Sequence, residues 1–448
     1  MRSLTLLCLA FFAGTLGGCG NDGDSSVPAI LLIAPNRIVV ADAVTITGTS
    51  FGTTQGEVFV GATSAAITSW ADGTIVFTMP DVLPGDHDVV VSNAVGDSAP
   101  AGVAVVLPAA VFVHDDDHLV YGFLVDGAGV LTPLAGSPYD TGGTSAGFGG
   151  DSDCVRVHVG TRRVFATNDA SVAVWDIDPA TGALTAVVGS PFAIAGASAC
   201  YGVVVNAAGT LLFVADYDAD AVHVLAIDAL GALAPVAGSP FSDGGSTLDV
   251  PKLSPDGNYL YVNDETADPS SVHVFAVAVD GTLTPITNNP FDYPDANSYA
   301  FGLEMSPQGR LYVPDHGFGA IRVYDLAVDG TPTENAALAT SQTEPNSLAF
   351  TRNGARLFAN EYDTQIMHVY DVDVATGALT EVANSPFTIA AAVGLSPLVA
   401  DDTGAFLFAG DESGAGLHVF AVDAAGTLTP VGGVIPLSGE PSGIDFAR

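Results

Sequence analysis

A repeat restricts this chain more than any other feature. Glycine recurs at positions 129, 182, 231, 281, 330, 377 and 426, at intervals of 53, 49, 50, 49, 47 and 49 residues. A leucine follows two places later at 131, 184, 233, 283, 379 and 428, with Pro332 in that place in the fifth unit. A second mark is proline before an aromatic ring, at Pro138-Tyr139, Pro191-Phe192, Pro240-Phe241, Pro290-Phe291 and Pro386-Phe387. A fixed period signals one supersecondary unit used over and over. The third unit shows four β runs, Tyr201–Val205, Leu211–Ala215, Ala221–Ile227 and Leu233–Val236, here called strands a, b, c and d. Four-stranded units of this length form propeller blades. A lone blade cannot bury both faces, whereas stacked neighbours can.

The ends of the repeat predict how the ring closes. The first unit begins at its strand b, Val111–His114, and lacks a strand a. The chain ends in Pro441-Ser-Gly-Ile-Asp-Phe446, which aligns with the strand a Pro345-Asn-Ser-Leu-Ala-Phe350. The C-terminus is therefore expected to complete the first of seven blades and to leave no open sheet edge.

Composition narrows the class further. Apolar residues make up 48% of the chain, which excludes a disordered protein, and charged residues 14%, which excludes a long coiled coil. Fifty acidic residues face 11 basic ones, for a net charge of −39. Such a chain is not expected to hold nucleic acid through its phosphates or to bind an anionic membrane surface. The acid is mostly Asp, 41 against 9 Glu, and Lys252 is the single lysine. That bias fits a turn-rich β protein. It also fits a surface kept soluble in salty or calcium-rich surroundings.

The N-terminus reads as an address. Met1-Arg2 is a short positive start, and Leu4–Leu16 is a mainly apolar stretch too short to span a bilayer. It ends in Leu16-Gly17-Gly18-Cys19, which resembles the bacterial lipobox. That resemblance implies a signal peptide over 1–18, acylation of Cys19 and a tether over 19–26. The partner is then a membrane, reached through the lipid, and the location the bacterial cell envelope. Residues 27–107 carry short strands at Arg37–Val40, Val44–Thr47, Glu57–Val60, Thr74–Thr78 and Asp88–Val91. Val44-Thr-Ile-Thr-Gly-Thr-Ser-Phe51-Gly52, Val58-Phe-Val-Gly61, Pro84-Gly85 and Val90-Val-Ser-Asn93 resemble an IPT/TIG domain, an immunoglobulin-like sandwich. Such modules serve as spacers or interaction domains. The predicted fold is all-β, with that sandwich followed by a seven-bladed propeller over 108–448.

The turn Ser254-Pro255-Asp256-Gly257, the run Val313-Pro-Asp-His-Gly317 and the Gly-Ser-Pro-Phe strand ends resemble the seven-bladed lactonase-type propellers, the group of 6-phosphogluconolactonase-like proteins. That resemblance implies a site where the b–c and d–a loops meet at one rim of the channel, with His residues at the start of strand a. A lactone hydrolase needs a base or metal to activate water and cations to hold the oxyanion. The aligned column here is Val155, Tyr201, Asp249, Phe301, Asn346, Ser396 and Ser442, with no His. This departure argues against ordinary lactone hydrolysis.

Several constellations remain as candidates. Three places inward, strand a carries His158, Val204, Lys252, Glu304, Ala349, Val399 and Asp445. Lys252–Glu304 and Asp445–His158 are expected to pair, as structural ion pairs or as catalytic ones. Strand b ends in an acid in every unit: Asp115, Asp169, Asp216, Asp264, Asp315, Glu361 and Asp411. These are expected as Asx turns, or else as a negative rim for a cation. Asp216, Asp218 and Asp220 are spaced like the start of a calcium loop, although Ala221 replaces its Gly and Ile227 its closing Glu. Calcium is thus the one candidate cofactor, and none is required. His223, His273, His368 and His418 share one place in strand c and are expected to pack between blades. Cys154 and Cys200 both open strand a on adjacent blades, and an exported protein meets oxidising conditions, so a disulfide is expected there. GxSxG matches at Gly48–Gly52 and Gly143–Gly147 have no helix after them and are discarded.

Three functional readings follow, the plainest being a propeller that serves only as a protein-interaction platform. In the first of the other two, an anchored monomer binds a carbohydrate-like molecule or an envelope protein at the rim, through Tyr201, Asp249, Phe301, Asn346 and Asp315, with the rings stacking on a flat apolar face. In the second it hydrolyses a lactone, with His316 or His158 as base and Arg322 or Lys252 as the cation.

Overall fold

β-Branched and aromatic residues dominate the apolar runs, and these runs form strands, with strand b of a blade such as Leu211–Asp216 buried along its whole length. The computed structural model describes residues 26–143, 153–245, 247–265, 269–295, 298–335, 342–361 and 364–447. The leader, Cys19 and most of the second GxSxG match lie outside them. The main boundary between two compact units falls at Val103–Ala104.

Residues 29–106 form a sandwich. One sheet runs in the order Ala29–Ala34, Ala43–Thr49, Thr74–Thr78, Ala66–Ala71, and the other in the order Arg37–Val39, Ala101–Val106, Gly85–Ser92, Glu57–Val60, Thr63–Ser64. Alternate residues of facing strands, among them Val44, Ile46, Val58, Val60, Ile75, Phe77, Val89 and Val91, are fully buried between the sheets.

The second unit holds seven antiparallel sheets, each ordered d-c-b-a. In blade 3 the strands are Cys200–Val205, Leu211–Asp216, Ala221–Ile227 and Leu233–Pro235. Blade 1 has b Ala110–Asp115, c Leu119–Val125 and d Leu131–Pro133, and takes its strand a from Pro441–Ala447 at the C-terminus. The register there sets Val111 opposite Phe446 and Val113 opposite Ile444. Successive blades enclose separate apolar layers, such as Phe165, Val174, Cys200, Val203 and Leu212 between blades 2 and 3.

Two devices explain the repeated marks. At the Gly-Ser-Pro-Phe ends, the Ser hydroxyl accepts an N–H of strand c: Ser137 from Gly122, Ser190 from Val174, Ser239 from Val224 and Ser385 from Val369, at 2.8–3.1 Å. Asn289 takes this part in blade 4. The c–d turn glycine has a left-handed φ in every blade and lies against the preceding blade. A Cβ at Gly330 would stand 2.4 Å from the Tyr259 ring, and one at Gly426 3.2 Å from the Arg356 guanidinium. Side chains at the start of strand b cap the carbonyls of these turns. Tyr259 donates to Val328 O, Tyr261 to Gly330 O, and Arg310 to Val374 O and Ala375 O.

Six of the seven strand-end acids, all but Asp169, are buried clamps rather than a negative rim. Asp216 accepts from Ser198 N, Ala199 N and Ala219 N and meets His223 at 3.0 Å. Asp411 does the same with Val393 N, Gly394 N, Gly414 N and His418. Outside blade 2, where Asp169 lies beyond the end of strand b and is only half-buried, the acid ties its d–a loop to its own blade, and in blades 3, 4, 6 and 7 the strand c histidine locks it. For this reason Asp216, Asp218 and Asp220 do not gather as a calcium loop would. Asp216 is turned inward, and among the described residues no group of three His, Cys, Asp or Glu side chains is placed to hold a metal.

The expected disulfide is also absent: Cys154 and Cys200 are free thiols. The Cys154 thiol is engaged with Thr167 and Ser442, and Cys200 is packed in the apolar layer between blades 2 and 3. Burial pushes the Cys154 thiol up to about 12 and raises Cys200 as well.

Candidate functional site

Blade 5 departs from its neighbours, and the departure shapes the rim. Its strand a joins the ladder only at Glu304–Met305, with one isolated bridge at Ala300–Asp315. Pro314 in the facing strand b has no amide hydrogen to offer the segment between them. Phe301 leaves the ladder, and its ring meets His316 edge-on at 5.1 Å and Tyr299 at 4.9 Å.

From there a continuous arc crosses three blades. The Tyr299 hydroxyl donates to Glu265 Oε1 at 2.7 Å. Glu265 also hydrogen-bonds Tyr217, whose ring lies 4.9 Å from that of Tyr201. The Asp249 carboxylate acts electrostatically on both Tyr201 and Tyr217. The rings, Glu265 and His316 are each half-buried. Burial raises the Glu265 carboxyl, and the two phenols pull it back only in part. Tyr217 is pushed up to about 12, first by burial and then by the Glu265 charge. Burial lowers His316, so its ring is neutral at pH 7.

Of the residues expected at the rim, Tyr201, Asp249, Phe301 and His316 come together, and others do not. Asp315 is fully buried as the clamp of blade 5, held by Arg322 at 2.6 Å, Ser298 at 2.7 Å and the Phe318 amide. Arg322 replaces the clamp histidine and is spent on three carboxylates, Asp315, Asp295 and Glu334, each at 2.6 Å. It is no oxyanion holder. Asn346 lines a small cleft of the bore with Lys252 and Glu304.

Lys252 belongs to the bore. Its ammonium lies 2.5 Å from Glu304, as expected, and 2.5 Å from Asp153, which was not expected. Asp153 reaches it from a left-handed backbone, φ 49°. Arg156 completes the cluster, 2.9 Å from Asp153 and 3.6 Å from Asp445. The Asp445–His158 pair does not form. Asp445 accepts from Val157 N, while the ring of His158, the last ladder residue of this strand a, caps the short 3-10 turn Val159–Thr161 at the a–b end, opposite the rim. Cavities of about 200 and 510 Å³ border the bore cluster and share Arg156, Lys252, Glu304 and Met305.

Glu265, Tyr217 and Tyr299 escaped the sequence reading. A signal existed for two of them. Tyr217 and Glu265 occupy the place of His316 in the repeat, directly after the strand-end acid.

Residues 251–394 match the family described as lactonase, 7-bladed beta-propeller, and residues 28–104 match the IPT/TIG domain. The chain thus joins an IPT/TIG domain to a β-propeller of the lactonase type. A putative 6-phosphogluconolactonase of Bacteroides fragilis superposes with a TM-score of 0.61 at 19% identity, over 76% of this chain and 98% of that one. A periplasmic gluconolactonase of Pseudomonas aeruginosa gives 0.61 at 20%, over 76% and 99%. At such identities the shared property is the fold. A cyclomaltodextrin glucanotransferase of Geobacillus stearothermophilus is 34% identical over 88 residues, 20% of this chain and 12% of that protein. The chain therefore spans only about an eighth of that relative.

Proposed function

We propose that this chain is an envelope-anchored binding protein whose propeller takes a carbohydrate-like ligand at the rim, with the IPT/TIG domain as spacer. The arc from Tyr201 through Glu265 to His316 carries the reading. It offers half-buried ring faces for a sugar face and a carboxylate and an imidazole for its hydroxyls. Leu16-Gly17-Gly18-Cys19 supports the anchor. Calorimetric titration of the full chain with neutral oligosaccharides tests it. Phe301→Ala and Tyr201→Ala are each expected to weaken binding about ten-fold, since a stacked ring contributes ~1 kcal/mol or more. Saturable binding that neither variant alters would defeat the proposal.

Hydrolysis of a sugar lactone is the second reading, favoured by the fold shared with gluconolactonases and by the neutral His316 ring, which can accept a proton from water. Against it stands the placement of the cations. Arg322 is saturated, Arg156 and Lys252 belong to the bore cluster, and Arg162, Arg163, Arg310, Arg352 and Arg356 stand at the a–b end of the blades. Gluconolactone turnover lost in His316→Ala would establish this reading over the first.

A further inference from the structure

We infer that the ligand of the rim arc carries a positive charge, an organic ammonium such as that of an amino sugar, seated among the ring faces beside Glu265. The inference rests on the rim being the binding site, and it specifies the chemistry that site selects.

Four rings, Tyr201, Tyr217, Tyr299 and Phe301, surround or adjoin one carboxylate. The face of an aromatic ring is electrostatically negative, and an ammonium among several such faces is held by their quadrupoles. The same rim already shows this preference, because the Arg322 guanidinium lies 4.6 Å from the centre of the Phe318 ring. Several acids of the propeller are paired with a cation. Asp315 is met by Arg322, Glu304 by Lys252, Asp445 by Arg156 and Glu361 by His368. Glu265 is met by two phenols instead. Phenol hydroxyls satisfy its lone pairs but leave its charge uncompensated in a partly desolvated place. Asp249 adds a second negative charge behind Tyr201 and Tyr217. A bound cation relieves the Glu265 charge, whereas an anionic ligand such as a phosphorylated sugar meets repulsion. The net charge of −39 adds long-range attraction for cations.

The test compares two ligands of the same hydroxyl pattern that carry a free amine or an acetamide, a glucosamine dimer and an N-acetylglucosamine dimer, with tetramethylammonium as a charge-only probe, by calorimetry on the full chain. The amine dimer is expected to bind at least ten-fold more tightly than the acetylated one. Glu265→Gln keeps an acceptor for both phenols and is expected to abolish that ratio. Tyr201→Leu keeps apolar bulk without the ring face and is expected to lower it several-fold. Equal binding of the two dimers, or a ratio that survives Glu265→Gln, overturns the inference and leaves the glycan reading standing. Tetramethylammonium binding that depends on Glu265, with neither dimer bound, upholds the ammonium and overturns the sugar. No binding by any of the three overturns both.

Discussion

Arg322 carries the heaviest electrostatic duty of any side chain in the propeller. It is 2% exposed and joins fully buried Asp315 to Asp295 and Glu334. Arg322→Met leaves Asp315 charged and partly uncompensated inside the blade. The expected loss is about 3–5 kcal/mol, read as a lower urea midpoint. A loss below 1 kcal/mol would show that the clamp works without its cation. His273 gives a second test at this scale. Burial alone would lower it, but Asp243 and Asp264 raise it to about 9. The folded value exceeds the unfolded one near 6.5, so the stabilisation is complete below pH 6.5 and is lost as pH rises through 9. Thermal unfolding of the wild type is expected to weaken across that window, and that of His273→Gln to weaken less. Parallel pH profiles would dismiss the effect. Residue types and places were legible from the repeat, and the strand c histidines are buried as expected, but each bonds the strand-end acid of its own blade rather than only packing between blades. Their partners were not legible, because an acid at the end of strand b meets strand c only once the ladder has formed.

At the scale of elements, the c–d turn is a latch between blades. Its glycine combines a left-handed backbone with close approach to the blade before it, as Gly330 does at Tyr259 and Gly377 at Arg310. Gly330→Ala must strain the turn and displace the Tyr259 ring, whose hydroxyl donates to Val328 O. We expect a cost of about 1–2 kcal/mol in denaturant unfolding. Gly432, whose Cβ would meet nothing within 4 Å, is the control for backbone strain alone. Equal losses at both positions would mean that the inter-blade contact contributes nothing. The period announced these glycines, and the strand limits read for blade 3 differ from the observed ones by a residue at most. The short strand a of blade 5 was not anticipated. Pro314 was visible in sequence, but its effect depends on which strand lies on its other side.

For the whole molecule, the decisive contact is between its two ends. Ile444 and Phe446 join Val111, Val113, Phe408 and Leu417 in one apolar layer. Ile444→Ala is expected to cost about 2–4 kcal/mol. Deleting residues 441–448 removes the innermost strand of blade 1 and opens a sheet edge, so soluble expression is expected to fall sharply. A soluble, cooperatively unfolding truncation would show that the ring does not need this strand. The sequence by itself determined the β class, the repeat, the blade count and the pairing of tail with head. Those features follow from local periodicity, which every blade restates. Only the tertiary structure decided which charges meet. Lys252 turned to Asp153 as well as Glu304, Asp445 to Arg156, and Glu265 to two tyrosines from the neighbouring blades. Those contacts join residues far apart in the chain, and across such separations one-residue shifts and a single proline redirect side chains that the repeat alone treats as equivalent.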